Sequence, residues 1–139
     1  MTENVLLAGV ILEDSNGHIA LQLRDEDPKI INPGLWSIFG GHIEIGELPG
    51  NAAQREMLEE LSIHISLEKL DLLGKFEHHQ KLFYVFHYQV TDEMNDVTLK
   101  EGQGWRWCTT DEINSGEING KNIVDYHIEF IQRFRGGNI

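Results

Sequence analysis

The sequence is poor in the residues that build disulfide frameworks and membrane spans. Its 139 residues include a single cysteine, Cys108, and three prolines. One thiol cannot form an intramolecular disulfide, and no second thiol is present for a cysteine-based zinc site. No apolar run reaches the roughly 18 residues that a transmembrane helix needs, and the first residues lack the pattern of a secretory signal. We therefore expect a soluble, cytoplasmic protein without a membrane partner.

Basic residues are also scarce. The chain has 11 Lys and Arg against 23 Asp and Glu, which gives a formal net charge of −12 at pH 7. Such a charge repels polyanions, so we expect no nucleic acid to bind through a broad basic face. It does not exclude a phosphorylated small molecule, because bound cations can invert the sign of the local field.

What the sequence does contain is a concentration of carboxylates in one short segment. Residues 51–61 are rich in Ala, Leu and Glu, which predicts a helix. Within this segment Glu56, Glu59 and Glu60 lie three and four residues apart on one helix face. Like charges this close repel, and a divalent cation is the simplest partner that turns the repulsion into a binding site. Carboxylate oxygens favour hard ions, so we expect Mg²⁺ or Mn²⁺.

The spacing around these carboxylates resembles the Nudix box, G-x5-E-x7-R-E-U-x-E-E-x-G-U, in which U is a bulky apolar residue. The matching positions are Gly41, Glu47, Arg55, Glu56, Met57, Glu59, Glu60 and Ile63. One position differs, because Ser62 stands where the family has glycine, at a helix end where the backbone often turns left-handed. A residue with a Cβ costs about 1–2 kcal/mol there. We expect the difference to affect stability and loop geometry more than chemistry.

The resemblance implies a hydrolase whose box helix holds the metal while water attacks a phosphorus of a nucleoside diphosphate linked to another group X. Carried over to this chain, Glu56 and Glu60 are direct metal ligands. Glu59 shares the metal shell or helps to deprotonate water. The backbone carbonyl of Gly40 is an additional ligand.

Three further residues are implied to support the chemistry. Arg55 cannot act as a base at ordinary pH, and the resemblance makes it an organiser that pairs with Glu47 and fixes the carboxylates. The alternatives are a surface pair between Arg55 and Glu59, and for Glu47 an ordinary acidic loop residue before a helix. Glu101 resembles a position that many family members use as an extra ligand or base, although acidic loop residues are common.

Candidate substrate contacts lie outside the box. Arg24, at the end of a predicted strand, is a candidate phosphate contact or an ordinary strand-edge charge. Trp36 is a candidate for stacking on a base or for core packing. Asn119 precedes the terminal helix, where related enzymes that sanitise oxidised nucleotides read the base, and turn formation is its alternative role.

The rest of the chain predicts an α+β fold. We expect strands at residues 5–12, 19–24, 35–39, 70–77, 81–90 and 104–108, with the fourth and fifth paired, and a short helix after residue 109. A terminal helix is expected at about residues 121–135, and residues 25–34 form a loop of a length that is often functional. No repeat or linker divides the chain, so we expect one domain over residues 1–139. The resemblance sharpens this to the Nudix α/β/α sandwich, a mixed sheet between helices.

The leading hypothesis is therefore a metal-dependent pyrophosphohydrolase, with a nucleoside triphosphate of the MutT type as the first candidate substrate. Nucleotide sugars and dinucleoside polyphosphates stay open. A rival hypothesis is a catalytically silent Nudix module that only binds nucleotides, for which Ser62 is the sole support. The expected partner is a small nucleotide or nucleoside diphosphate derivative, and a homodimer is an expectation at the level of the family alone.

Overall fold

The computed structural model describes residues 5–136. In chain order the elements are β1 (Val5–Glu13), β2 (Ile19–Leu23), β3 (Trp36–Ser37), β4 (Phe39–His42), α1 (Pro49–Leu61), β5 (Leu70–His78), β6 (Lys81–Gln89), β7 (Gly104–Cys108), α2 (Thr110–Ser115), β8 (Glu117–Ile118), β9 (Lys121–Asn122) and α3 (Asp125–Gly136). None of the helices in residues 5–136 is long and apolar enough to cross a membrane.

A mixed sheet of seven strands forms the centre of the molecule. Strand β1 pairs in parallel with β6 and antiparallel with β2 and β4. Strand β6 pairs antiparallel with β5, which confirms the predicted pairing, and β2 pairs with β3 and β7. The parallel β1–β6 pair makes the sheet mixed, as the resemblance implies.

Both faces of the sheet are covered, and β1 shows this most directly. Leu7 and Ile11 pack in a cluster with residues of α2 and α3, whereas Val10 and Leu12 pack with Met57 and other residues of α1. Successive side chains of a strand point to opposite faces. Helix α1 therefore lies on one face and helices α2 and α3 on the other, which confirms the α/β/α arrangement.

Helix α1 ends at a left-handed residue, as predicted. Ser62 has φ 57° and ψ 33°, and its N–H donates to the Leu58 carbonyl at 3.0 Å. The Ile63 N–H reaches the Met57 carbonyl at 3.4 Å, so two carbonyls of the last turn have partners. The helix begins at Pro49, earlier than predicted, because proline fits the first turn of a helix.

The segment predicted as one strand at residues 35–39 is two strands. Strand β3 pairs with β2, strand β4 pairs with β1, and Ile38 lies between them. The Ile38 N–H donates to a ring nitrogen of His127 instead of a sheet partner, which interrupts the strand. Strand β4 then continues through the glycine pair to His42.

The terminal helix also begins later than predicted. Residues 117–122 form the β8–β9 hairpin, whose turn residues Asn119 and Gly120 have φ 52° and 80°. An Asn-Gly pair suits such a turn because both residues tolerate positive φ. Helix α3 then begins at Asp125 instead of Lys121.

Candidate active site

The glycine pair of β4 allows α1 to approach the sheet. Gly40 has φ 147°, and a Cβ there would collide with the carbonyl oxygen of Ala8. A Cβ at Gly41 would lie 2.5 Å from Oε1 of Glu56. The carboxylate of Glu56 therefore lies directly against the strand backbone, in space that a side chain at position 41 would fill.

Arg55 is bound to the acidic residues around it. Its Nε and Nη2 donate to the two carboxylate oxygens of Glu47 at 2.8 and 2.9 Å, and Nη2 also reaches the His42 carbonyl at 3.0 Å. Its Nη1 donates to Glu56 at 3.0 Å and to Glu59 at 3.1 Å. The hydrogen bond from Arg55 lowers the pKa of Glu47 to about 2, and the hydrogen bond to Glu47 raises the pKa of Arg55. Bidentate pairing of this kind fixes the guanidinium plane.

Glu60 is the buried member of the carboxylate group. It is 1% exposed, and its Oε1 accepts a hydrogen bond from Nε2 of Gln22 at 3.2 Å. Its Oε2 is buried without a hydrogen-bond partner among the described residues. Burial, followed by the charge of Glu56, raises the pKa of Glu60 well above its usual value, and burial also raises the pKa of Glu56.

The orphaned oxygen of Glu60 fits a hard cation. A buried carboxylate oxygen without a donor costs free energy, and a divalent ion with carboxylate and carbonyl ligands satisfies it. Within residues 5–136, no three His, Cys, Asp or Glu side chains are already arranged to hold an ion. Arg55 holds Glu56 and Glu59, so these two side chains would have to turn from the guanidinium toward an ion.

A cavity of about 520 Å³ opens beside this group. One part of its wall carries charge and contains Gly40, Glu44, Arg55, Glu56, Glu59, Glu60 and Glu101. The other part comes from the end of β2, the 25–34 loop, β6 and α3, and contains Arg24, which follows β2, together with Lys29, Ile30, Ile31, Asn32, Phe83, Tyr126 and His127. The predicted metal ligands thus share one cavity with a surface that combines apolar and aromatic side chains with the cations Arg24 and Lys29.

The segment after β6 brings Glu101 to this wall. The Lys100 N–H donates to the backbone carbonyl of Glu60 at 2.8 Å, which ties the segment to the end of α1. The negative charge of Glu101 contributes to the raised pKa values of Glu56 and Glu60. Glu101 therefore lies close enough to act on the carboxylates of α1.

Of the three candidate substrate contacts, the structure places only one on the cavity wall among the described residues. Arg24 lines the cavity, and its Nε donates to the Ile31 carbonyl at 2.6 Å. Trp36 is 6% exposed and donates from Nε1 to the Ile118 carbonyl at 3.1 Å, so it packs in the core and does not line the cavity. Asn119 is exposed in the β8–β9 turn. The structure favours the alternative roles of the last two, core packing and turn formation.

The sequence did not indicate several residues that line the cavity or bond to its carboxylates. Gln22 is buried in β2. A polar residue within an otherwise apolar strand was the sequence feature that could have indicated its role. Asn32, Tyr126 and His127 carried no such signal, because they meet only through contacts between distant parts of the chain.

Comparison with known proteins identifies the family. The family model described as NUDIX domain matches residues 4–134. The chain belongs to the Nudix family. This Nudix chain is 29% identical over 123 residues to an 8-oxo-dGTP diphosphatase of Haemophilus influenzae, covering 88% of this chain and 89% of that protein. It is 30% identical over 110 residues to diphosphoinositol polyphosphate phosphohydrolase 3-beta of Bos taurus, covering 76% of this chain and 64% of that protein.

The solved structures agree on the fold. The MutT protein of Methanosarcina mazei Go1 matches with a TM-score of 0.76 at 23% identity, covering 99% of this chain and 96% of that one. At this identity the match shows the fold alone. Together with the family match, the relatives indicate a Nudix hydrolase that acts on pyrophosphate bonds.

Proposed function

We propose that this Nudix hydrolase uses Mg²⁺ or Mn²⁺ to cleave a diphosphate bond of a nucleoside diphosphate derivative, with a nucleoside triphosphate as its first candidate substrate. Water attacks a phosphorus atom, and the diphosphate lies in the cavity beside α1. The observation that carries the proposal is Oε2 of Glu60, which is buried without a hydrogen-bond partner from residues 5–136 and lies in a wall of carboxylates.

The proposed metal site uses the residues that the box resemblance indicates. Glu56 and Glu60 would hold the ion, and Glu59 and the Gly40 carbonyl would supply further oxygen atoms to it. A bound divalent ion neutralises phosphate oxygens and lowers the pKa of a bound water molecule. Burial raises the pKa of Glu56 and of Glu60, and an adjacent cation would favour the charged forms of both carboxylates.

The remaining residues position the reactants and move the proton. Arg55 carries no proton-accepting group, so its role is to hold the carboxylates through its bonds to Glu47 and Glu56. Glu59 is about half exposed and so is reached by solvent, which suits a group that accepts a proton from the attacking water. Glu101, on the same cavity wall, is the alternative base. Arg24 contacts a phosphate through its terminal N–H groups.

The relatives support the choice of substrate. The 8-oxo-dGTP diphosphatase resembles this chain along nearly the full length of both proteins, which favours a nucleoside triphosphate. The bovine phosphohydrolase resembles this chain over a shorter segment, and its name adds a diphosphoinositol polyphosphate to the substrates to be tested. Nucleotide sugars and dinucleoside polyphosphates complete the set of substrates to be tested.

A substrate panel combined with Glu60→Gln tests the proposal. Purified protein with Mg²⁺ or Mn²⁺ is expected to release phosphate or nucleotide from at least one of these substrate classes, and Glu60→Gln is expected to lower kcat by at least about 100-fold. The exposed Glu68, outside the cavity wall, offers a matched control, and Glu68→Gln should leave kcat unchanged. Absence of metal-dependent release from every class would refute the proposal. An unchanged kcat in Glu60→Gln would show that Glu60 is not a ligand of the proposed metal ion.

The proposal extends to location and assembly. We place the enzyme in the cytoplasm on its composition, and we propose a homodimer on the family resemblance alone. Sedimentation equilibrium on the purified chain decides the assembly, because monomers and dimers differ twofold in mass.

A further inference from the structure

A buried glutamine of β2 bonds to Glu60 across the space between the sheet and α1. Gln22 is 2% exposed and lies outside the described lining of the cavity. Its Cα partner on β7 is Trp105, which packs against the cluster that contains Met57 of α1. Residues directly opposite in an antiparallel pair share a face of the sheet. The side chain of Gln22 therefore points toward α1, where its Nε2 donates to Oε1 of Glu60 at 3.2 Å.

The segment that carries Glu101 lies beside Gln22. A Cβ at Gly102 would lie 3.3 Å from Oε1 of Gln22 and 2.8 Å from the Leu23 carbonyl oxygen, so the backbone of this segment approaches β2 closely. Gly102 has φ 86°, a conformation that glycine adopts without strain. The N–H of Gln103 then donates to the Leu23 carbonyl at 2.8 Å. These contacts fix the segment next to the amide of Gln22.

The same segment is bonded to the end of α1. The Thr98 N–H donates to the Leu61 carbonyl at 3.0 Å. The Lys100 N–H donates to the Glu60 carbonyl at 2.8 Å. One segment therefore joins the last turn of α1 to the end of β2, the two elements between which Gln22 and Glu60 meet. A side chain that is already packed in place loses little conformational freedom when the residue it holds takes a ligand.

The bond from Gln22 makes the two carboxylate oxygens of Glu60 different. Oε1 has a donor, whereas Oε2 is buried without a hydrogen-bond partner from residues 5–136. The donor is a neutral amide, so it restrains the rotation of the carboxylate and leaves its negative charge uncompensated. Arg55 holds Glu56 and Glu59 differently, because its guanidinium carries a full positive charge. Glu60 is therefore held by a group that does not compete with a metal ion for its charge.

We infer that Gln22 is a positioning residue, which holds Glu60 through Oε1 and so leaves Oε2 to a divalent ion. Hydrogen bonds that orient a metal ligand commonly change metal affinity by about 10- to 100-fold. The inference rests on the proposed function, since it concerns the ion of that site. It places part of the metal affinity on strand β2, outside the Nudix box, in a residue that acts only through Glu60.

Two substitutions at position 22 and one at position 37 test this role. Gln22→Met keeps the length of the side chain and removes the donor. Gln22→Asn keeps the amide and draws it away from Glu60 by a methylene group, and it is the deciding variant if Gln22→Met does not fold. Ser37 is the Cα partner of Gln22 on β3, is 1% exposed, and has no hydrogen-bond partner for its Oγ from residues 5–136. Ser37→Ala is therefore the matched control, because it removes a buried polar group from the same face of the sheet and leaves the bond to Glu60 in place.

Calorimetric titration of the metal-free proteins with Mn²⁺ gives a readout that does not depend on turnover. Gln22→Met and Gln22→Asn are expected to bind Mn²⁺ about tenfold more weakly than the wild type, and Ser37→Ala should bind it as the wild type does. Unchanged affinity in the Gln22 variants would overturn the inference. An equal loss in Ser37→Ala would also overturn it, since the cause would then be a general loss of packing.

The dependence of hydrolysis on Mn²⁺ separates positioning from a direct part in the reaction. Gln22→Met should need about tenfold more Mn²⁺ for half-maximal turnover and should reach nearly the wild-type kcat at saturation, because the lost donor acts on metal affinity. A loss of kcat that saturating Mn²⁺ does not restore would overturn the inference.

The titration also distinguishes failure of the inference from failure of the proposed function. No Mn²⁺ binding to the wild type would refute both. Normal binding to the wild type with unchanged binding to Gln22→Met would refute the inference alone. If no phosphorylated compound is hydrolysed, the proposed function fails, and the Mn²⁺ titration still decides the role of Gln22.

Discussion

The serine at the end of α1 gives a prediction whose size follows from backbone geometry. Ser62 has φ 57° and ψ 33°, which costs a residue with a Cβ about 1–2 kcal/mol relative to glycine. Glycine in turn loses about 0.4–1 kcal/mol through the greater freedom of the unfolded chain. The difference predicts that Ser62→Gly stabilises the protein by about 0.5–1 kcal/mol. For a chain of this size the melting temperature should rise by about 2–4 °C.

Ser66 supplies the matched control, because it has an ordinary extended conformation with φ −88° and ψ 128° and no side-chain capping bond. Ser66→Gly therefore pays the unfolded-state cost alone and should lower the melting temperature. Both variants are compared with the wild type by calorimetry and by urea unfolding at pH 7. The reasoning is refuted if Ser62→Gly is destabilised to the same extent as Ser66→Gly, since the left-handed conformation would then carry no cost.

Two further predictions concern the residues that arrange the carboxylates. Gly41→Ala should retain the fold yet bind Mn²⁺ at least about tenfold more weakly in a calorimetric titration, because its Cβ would lie 2.5 Å from Oε1 of Glu56; unchanged Mn²⁺ affinity would contradict the assignment. Glu47→Gln should lower stability to urea at pH 7, because it breaks the carboxylate pair with Arg55. The pKa of Glu47 is lowered from 4.5 to about 2 in the folded protein, so its contribution is present above pH 4.5 and is lost as the pH falls toward 2. The stability difference between wild type and Glu47→Gln should therefore shrink over that range, and a constant difference would show that its origin is not the charge.

The elements that the sequence predicted well are those with local signals. Strand β1, the β5–β6 pair and α1 follow from an apolar and β-prone run, a pair of neighbouring strand-forming segments and a run of helix-forming residues. The left-handed end of α1 was predictable because the family pattern places glycine at position 62. The strand and helix boundaries that differ from the prediction depend on contacts with residues that are distant in sequence. Ile38 leaves the strand because its N–H donates to His127, which lies 89 residues away in sequence.

The same contrast between local signals and contacts of distant residues applies to the active site. The charged wall comes mainly from one helix and the loop before it, and the structure contains the pair between Arg55 and Glu47 that the resemblance implies, with Arg55 also bonded to Glu56 and Glu59. The part of the cavity wall that the 25–34 loop, β6 and α3 supply has no such local pattern in the sequence. Asn32 meets Tyr126 across 94 residues, and Trp36, a candidate for base stacking or for core packing, donates across 82 residues to Ile118 in the core.

This division also explains why one box serves different substrates. A box that lies on one helix and its preceding turn can stay constant while the loop at residues 25–34 and the start of α3 change, because those segments supply most of the described side chains of the opposite wall, with Phe83 of β6 beside them. His127 is an example, since its Nδ1 accepts a hydrogen bond from the N–H of Ile38, a residue just outside the box. Swapping that wall between Nudix proteins should therefore change which substrate binds while leaving metal affinity intact. If metal affinity fell together with substrate preference, the two walls would be energetically coupled and this separation would be wrong.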